Sequence, residues 1–215
     1  MGLISPLLSN LYLHILDRIW ERHNLQQRLG ARIVRYADDI VILWRRCRAG
    51  QAMEVLRSIL ERLGLVLNEG KTKTVNAFTG KFDFLGFSIW MGKGQKTGNY
   101  YPHVQPSKKS LQTIRDRVTL LTRRERTVMP FEWIVNEVNS TVRGWAGYFH
   151  YRNSSQPLVQ VRRHVENRLI THLRKRHKLK GWKAGCAKFP RGSLYEKFGL
   201  YKVPTSAGWM KAHAL

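Results

Sequence analysis

Two adjacent aspartates interrupt the part of the sequence with the strongest β-strand character. The segments 32–36 and 40–44 are rich in Val, Ile and aromatic residues, and they predict a β-hairpin with Ala37, Asp38 and Asp39 at its tip. Two carboxylates at one tip repel each other unless a cation lies between them, and Mg²⁺ prefers carboxylate ligands. The pair therefore has two interpretations, a magnesium site for phosphoryl transfer or an ordinary polar turn.

Helices and further strands are expected around this hairpin. Apolar residues at helical spacing predict one helix after Pro6 and a second that ends at Gly64. Short strands are predicted at 65–67 and 72–75, and a pair of strands is predicted at 82–90. The apolar face of the first helix comprises Leu8, Leu11, Ile15 and Ile19, and that of the second comprises Met53, Leu56, Leu60 and Leu63.

After Pro106 the pattern becomes helical. Ser107 is a predicted N-cap, and three apolar stripes at helical spacing follow it. Strands and helices followed by helices alone predict the α+β class, with one domain at 1–106 and a helical domain at 107–215. The stripes are Leu111, Ile114, Val118 and Leu121, then Val135, Val138, Val142 and Trp145, then Leu158, Val161, Val165, Leu169 and Leu173.

The chain carries a large excess of positive charge, most of it in the second domain. Its 215 residues include 38 Lys and Arg against 14 Asp and Glu, a formal net charge of +24. Residues 1–106 contain 15 basic and 8 acidic residues, whereas residues 107–215 contain 23 and 6. Such an excess repels itself unless a polyanion is bound, which points to nucleic acid ahead of an anionic membrane surface.

Composition excludes several other classes of protein. Two cysteines cannot form a disulfide scaffold or a four-cysteine zinc site. The longest strongly apolar run, 40–44, is too short to cross a bilayer, so no membrane partner is expected. These features favour a reducing compartment such as the cytoplasm.

The helix predicted from the third stripe carries many basic residues. Arginine and lysine on a helix can contact phosphates, and aromatic residues interleaved with them can stack on unpaired bases. The alternative is a helix face that is merely solvated, which fits less well with so large an excess of charge. The basic residues on this helix are Arg162, Arg163, Arg168, Arg174, Lys175 and Arg176.

Six short motifs follow one another in a distinctive order. Any one of them could occur by chance, but their order is much more specific. They are GLISPLLSN at 2–10, YADD at 36–39, LNEGKT at 67–72, FLGF at 84–87, PSKK at 106–109 and VRGWAGYF at 142–149. In this order they resemble the reverse transcriptases and maturases encoded by group II introns. The resemblance implies a partial reverse-transcriptase palm, an antiparallel sheet with packed helices, followed by a mostly helical thumb or maturase domain.

The resemblance also implies roles for residues of the palm. Asp38 matches the first aspartate of the polymerase motif, a ligand of the catalytic Mg²⁺ (or Mn²⁺), and Asp39 matches the second. Tyr36 and Ala37 match positions beside the nucleotide and the primer end. Lys71 matches a basic residue near the triphosphate, where it can assist the leaving pyrophosphate. The alternative for Lys71 is a solvated lysine in a turn.

Nucleic-acid contacts are implied in both domains. The motif at 84–87 matches the primer grip, where a glycine lets the backbone approach the primer closely. An ordinary core strand is the alternative for these four residues, which are Phe84, Leu85, Gly86 and Phe87. In the second domain the resembled region grips the intron RNA and the template–primer duplex. Its candidate contacts are Lys108, Lys109, Arg143 and the six basic residues named above.

Members of the resembled family carry further blocks before the point at which this sequence begins. Those blocks supply the fingers and another metal-binding aspartate, and Asp17, expected to have a surface role on a helix, is no substitute for it. We therefore expect a C-terminal fragment that does not polymerise DNA by itself. The alternatives are an RNA-binding splicing module without enzymatic activity and a decayed remnant.

The expected partners follow from the same resemblance. They are group II intron RNA, an RNA template with a DNA primer, deoxynucleoside triphosphates, and a separate chain that carries the missing N-terminal half. The expected location is the bacterial cytoplasm, in association with nucleic acid.

Overall fold

The computed structural model of the chain describes residues 4–44, 49–94 and 98–206. The first residues of the motif GLISPLLSN, and also Cys47, lie outside the described residues. The chain forms two compact units, the second of which begins at Asn76. Helices and antiparallel strands occur in the structure, and the predicted α+β class is confirmed.

Helices and a β-hairpin make up the described part of the first unit. Strands β1 and β2 are antiparallel, and their register places Tyr36 opposite Asp39. The predicted hairpin is therefore confirmed, with Ala37 and Asp38 as the turn between the strands. The elements are α1 (Ile4–Arg22), α2 (Leu25–Leu29), β1 (Ala31–Tyr36), β2 (Asp39–Trp44) and α3 (Ala49–Arg62).

Helix α1 forms as predicted but buries a different face. Leu16 and Trp20 lie in the core of the first unit, where they pack with apolar residues of α2, β1 and α3. The predicted face contains Leu8, Leu11 and Ile15, which are 57%, 68% and 43% exposed. Apolar residues occur on more than one side of this helix, so their spacing alone does not decide which side the neighbouring elements cover.

The segment that follows α3 is irregular. The helix ends as predicted before Gly64, whose φ of +68° suits a glycine. The short strands predicted at 65–67 and 72–75 are wrong, because these residues form no regular secondary structure. The Asn68 carbonyl instead accepts hydrogen bonds from the backbone N–H groups of Lys71, at 3.0 Å, and Thr72, at 2.9 Å. Local turn bonds thus take the place of a strand ladder.

The second unit combines a three-stranded antiparallel sheet with helices. The strand order is β3-β4-β5, so the strand pair predicted at 82–90 is confirmed and a third strand is added to it. The strands are β3 (Phe82–Phe84), β4 (Phe87–Lys93) and β5 (Tyr100–Pro106). The α-helices are α4 (Lys108–Leu121), α5 (Phe131–Phe149), α6 (Ser155–Arg176), α7 (Trp182–Lys188) and α8 (Arg191–Glu196), with a 3₁₀-helix at Arg124–Val128.

The helical part of the second unit agrees closely with the sequence pattern. The three predicted stripes lie on α4, α5 and α6, and their residues are buried in one core or packed against it. Ser107 is the N-cap of α4, and its hydroxyl accepts a hydrogen bond from the Ser110 N–H at 3.1 Å. Within the described residues, no helix is long and apolar enough to span a membrane.

Hydrogen bonds attach the sheet to these helices. The Ser107 N–H donates to the Gly86 carbonyl at 2.8 Å, and the Asn153 N–H donates to the Val104 carbonyl at 3.1 Å. The compact division before Asn76 therefore lies upstream of the sheet. The predicted domain boundary after Pro106, which separates two sequence regions, stays a prediction.

Candidate active site and nucleic-acid interface

The aspartate pair lies at the exposed tip of the β1–β2 hairpin. Ala37 adopts the left-handed conformation, with φ of +52°, which is uncommon for a residue with a side chain. Asp38 and Asp39 are both exposed, and the neighbouring Tyr36 is 65% exposed. The turn thus brings the four residues of this motif together and presents two carboxylates and a phenol to the solvent.

A largely buried arginine holds this turn against helix α1. The Arg35 guanidinium donates to both carboxylate oxygens of Asp17, and the shortest of these contacts joins Nη2 to Oδ2 at 2.6 Å. The Nη1 group donates to the Ala37 carbonyl at 2.9 Å and to the Asn10 side chain at 3.0 Å. The hydrogen bonds with Asp17 raise the pKa of Arg35 above its usual value.

Neither member of this ion pair was assigned its role from the sequence. The expected surface role of Asp17 is wrong, because its side chain is only 29% exposed and pairs with Arg35. The sequence offered one signal for Arg35, a charged residue in an otherwise apolar strand just before the motif. The strained turn at Ala37 therefore has a specific support that local sequence patterns do not reveal.

Lys71 lies in the turn that follows α3. Its backbone N–H donates to the Asn68 carbonyl at 3.0 Å and to the Asn68 side-chain oxygen at 3.2 Å, while its side chain is exposed. Glu69 in the same turn pairs with Arg57 at 2.9 Å. The local geometry fits a lysine that is available to a ligand, and it fits a solvated lysine equally well.

The motif at 84–87 forms the turn between β3 and β4. Phe84 and Phe87 face each other across the strands, and Leu85 and Gly86 form the turn. The Phe87 ring lies 4.9 Å from the ring of Phe149 on α5. The motif is therefore both a turn and part of an aromatic cluster in the second unit.

The basic residues of α6 divide into two groups. Arg168 donates to the Thr122 carbonyl at 3.2 Å and to the Thr122 hydroxyl at 3.0 Å, and burial lowers its pKa. Arg162 pairs with Glu166 at 3.1 Å. In the described part of the chain, Arg163 and Lys175 are exposed and have no such partner. Several arginines predicted to contact RNA therefore also hold the fold.

The last turn of α6 also contains both kinds of residue. Arg174 is partly buried, and its side chain contacts Gly185 of α7 closely enough that a Cβ there would lie 3.3 Å away. Arg176 is exposed but donates from Nη1 to the Met129 carbonyl. Exposure at this end of the helix thus belongs mainly to Lys175 and Arg176.

A buried carboxylate that sequence reasoning missed joins α6 to α8. The Glu166 side chain is 3% exposed and lies 3.1 Å from Arg162 and 3.4 Å from Arg191. It also accepts a hydrogen bond from the Tyr195 hydroxyl at 2.6 Å, and burial together with this bond raises the pKa of Tyr195. The cluster satisfies a buried charge and fixes the position of α8.

The remaining candidate contacts lie on the surface of the second unit. Lys108 and Lys109 are exposed at the start of α4. Arg143 is exposed on α5, with its guanidinium carbon 5.1 Å from the ring centre of Tyr201. Among the aromatics considered for stacking, Trp145 and Phe149 pack inside the unit. Those that are exposed are Tyr148, Tyr151 and Trp182.

The two regions of the chain match two family models. A model described as reverse transcriptase (RNA-dependent DNA polymerase) matches residues 2–89. A model described as group II intron, maturase-specific domain, matches residues 111–189. The chain belongs to the group II intron reverse transcriptase and maturase family. No curated protein matches the chain.

Membership of the group II intron reverse transcriptase family implies general classes of partner. Intron RNA is the partner implied by the maturase-specific domain, and RNA or DNA template strands are implied by the reverse-transcriptase domain. Reverse transcriptases generally depend on a divalent metal. The contribution of this chain to each activity depends on the residues it can offer.

The described residues do not complete a metal site of the kind that reverse transcriptases use. No group of three or more His, Cys, Asp or Glu side chains comes together in residues 4–44, 49–94 and 98–206 in a way that could hold a metal. The carboxylate of Asp17 is engaged by Arg35. Asp38 and Asp39 offer oxygen ligands of the type that Mg²⁺ prefers, but two exposed carboxylates are too few to hold it firmly.

Proposed function

We propose that this chain binds group II intron RNA through the exposed basic surface of its second unit, and that this binding is its principal activity. The observation that carries the proposal is the charge of the maturase-specific region. Residues 111–189 contain 17 Lys and Arg against 5 Asp and Glu. A compact helical domain with such an excess is stabilised when phosphates replace the counterions around it.

The exposed basic residues carry the RNA contacts in this proposal. Arg163 and Lys175 on α6 are free to bind phosphates, whereas Arg168 already donates its N–H groups to the end of α4. Exposed residues of α4 and α5 extend the surface. They are Lys108, Lys109 and Arg143.

A second function, DNA polymerisation, is favoured by the hairpin tip. In this proposal Asp38 and Asp39 supply two ligands to Mg²⁺ or Mn²⁺, and a separate chain with the N-terminal blocks supplies the rest. The template would be RNA and the primer DNA, with deoxynucleoside triphosphates as substrates and Lys71 near the triphosphate. Arg35 would keep the tip in place. The turn at 84–87 would contact the primer, and the setting would be the bacterial cytoplasm.

The test compares two double variants that remove the same charge from different units. Arg163→Ala with Lys175→Ala removes two exposed cations from the maturase-specific region, and Arg62→Ala with Lys73→Ala removes two from the first unit. Affinity for a group II intron RNA is measured as a function of salt. The first variant is expected to bind several-fold more weakly and to lower the salt slope by roughly two phosphate contacts. The control variant is expected to change both quantities much less.

Equal losses in the two variants would contradict the proposed location of the RNA surface. The same preparations are tested for primer extension on an RNA template with Mg²⁺, beside Asp38→Ala. We expect no extension by this chain alone, while RNA binding persists. Extension that disappears in Asp38→Ala would make polymerisation the principal activity instead.

A further inference from the structure

The turn between β3 and β4 has a conformation that its sequence does not favour. Leu85 and Gly86 both have positive φ, at +50° and +79°, as the tight turn of a twisted hairpin requires. Asn-Gly adopts this turn most readily, and a leucine in the left-handed region is strained. The conformation therefore needs support from outside the two strands.

That support comes from the helical part of the second unit. The Leu85 carbonyl accepts a hydrogen bond from the Tyr148 hydroxyl at 3.1 Å. The Gly86 carbonyl accepts from the Ser107 N–H and from the Ser110 hydroxyl, both at 2.8 Å. A Cβ at Gly86 would lie only 3.0 Å from the Ser110 hydroxyl oxygen, so glycine allows the closest approach. Both carbonyls of the turn are thus held by residues that follow the sheet.

Tyr148 differs from the other supports because burial does not account for its placement. It is 56% exposed, whereas its neighbour Phe149 is buried. Its ring lies 5.5 Å from the ring of Phe87, and its hydroxyl reaches over the turn to Leu85. An exposed side chain contributes little to a core, so the hydroxyl acts chiefly on the backbone of the turn.

We propose that Tyr148 is a positioning residue through which the maturase-specific region holds the Leu85-Gly86 turn in the shape that binds a primer–template duplex. The inference rests on the proposed function, because it takes this turn to be a nucleic-acid contact. It joins the motif at 84–87 to the motif at 142–149, which match different family models. Signals from RNA bound to the helices would therefore reach the turn directly.

The test removes only the hydroxyl, by Tyr148→Phe. The ring contact with Phe87 is kept, so the melting temperature is expected to stay within a few degrees of the wild type. Amide hydrogen exchange at Leu85 and Gly86 is expected to become faster. Affinity for an RNA–DNA primer–template duplex is expected to fall roughly two- to ten-fold, the loss typical of one hydrogen bond.

Tyr151→Phe is the matched control. Tyr151 belongs to the same aromatic cluster, with its ring 6.5 Å from that of Phe87, but its hydroxyl accepts from Arg152 and does not reach the turn. Exchange at the turn is expected to be unchanged in this variant. Adding Leu85→Asn to Tyr148→Phe creates an Asn-Gly turn, which should restore slow exchange and duplex affinity without the phenol.

Three outcomes decide the inference. Faster exchange in Tyr148→Phe that Leu85→Asn reverses supports it. Unchanged exchange, or an affinity loss that Leu85→Asn does not reverse, overturns it, because the phenol would then act on the nucleic acid itself or on nothing. If the wild type does not bind the duplex, the proposed primer contact fails, and exchange still decides whether Tyr148 holds the turn.

Discussion

Two helices of equal length, α1 in the first unit and α5 in the second, use their apolar residues very differently. Each has 19 residues. Helix α5 buries Phe131, Val138 and Phe149 along its length, whereas α1 leaves Leu8 and Leu11 exposed. The difference reflects what surrounds each helix, since α5 lies in a core shared with α4 and α6. Apolar periodicity therefore predicts that a helix forms, but its neighbours decide how much of it is covered.

The largest predicted effect separates these two helices directly. Ile134→Ala removes a fully buried side chain of α5 and should lower the free energy of unfolding by about 2–5 kcal/mol, through lost burial and a cavity. Leu11→Ala on α1 should change it by less than about 0.5 kcal/mol, because the side chain is already in solvent. Urea unfolding measures both. A large loss in Leu11→Ala would show that something covers the outer face of α1.

The units also differ in how far their folds follow from the sequence. The stripes of α4, α5 and α6 and the N-cap Ser107 are local patterns, and each was predicted correctly. Strand β5 was missed because Pro102 and Pro106 weaken its strand character. They are tolerated because β5 lies at the edge of the sheet. The burial pattern of α1 depends on contacts distant in sequence, which periodicity does not contain.

The candidate sites show the same division. Tyr36 to Asp39 are consecutive, so any hairpin brings them together, and their grouping was predictable from the sequence. The support from Arg35 involves Asp17, 18 residues away, and depends on the packing of α1. Likewise, the basic pattern of α6 predicts a charged helix but does not reveal that Arg168 is engaged by Thr122. Charge can be counted from a sequence, whereas its availability depends on tertiary contacts.

The next prediction compares two ion pairs within the first unit. Arg35→Ala leaves the half-buried Asp17 without its partner and the Ala37 turn without its anchor, and should cost about 1–3 kcal/mol of unfolding free energy. Arg57→Ala breaks a pair with Glu69 in which both side chains are at least half exposed, and should cost less than about 1 kcal/mol. Chemical denaturation of both variants tests the difference. Equal costs would mean that Arg35 is not the anchor of the turn.

A buried histidine gives the second unit a feature that the described histidines of the first unit, His14 and His23, lack, since both of those are exposed. His172 is 1% exposed, and its Nδ1 lies 3.4 Å from the Thr122 carbonyl, to which the neutral ring can donate. Its Nε2 is buried and has no partner among the described residues. A second proton would have to sit there, close to three arginines, so burial above all lowers the pKa of His172.

The pH dependence that follows is the smallest effect in the series. Because the pKa of His172 is lower in the folded state, the unfolded chain takes up the proton first as the pH falls. The stability that the neutral ring contributes is therefore complete above about pH 6.5, the usual histidine value, and is lost as the pH falls below it. His164, whose pKa burial also lowers, adds to the same trend. Melting temperatures between pH 8 and pH 5 should fall less steeply in His172→Gln than in the wild type, whatever the variant costs at pH 8. Parallel curves would mean that the ring accepts its second proton without penalty, and that the core around α6 is less closed to charge than its burial indicates.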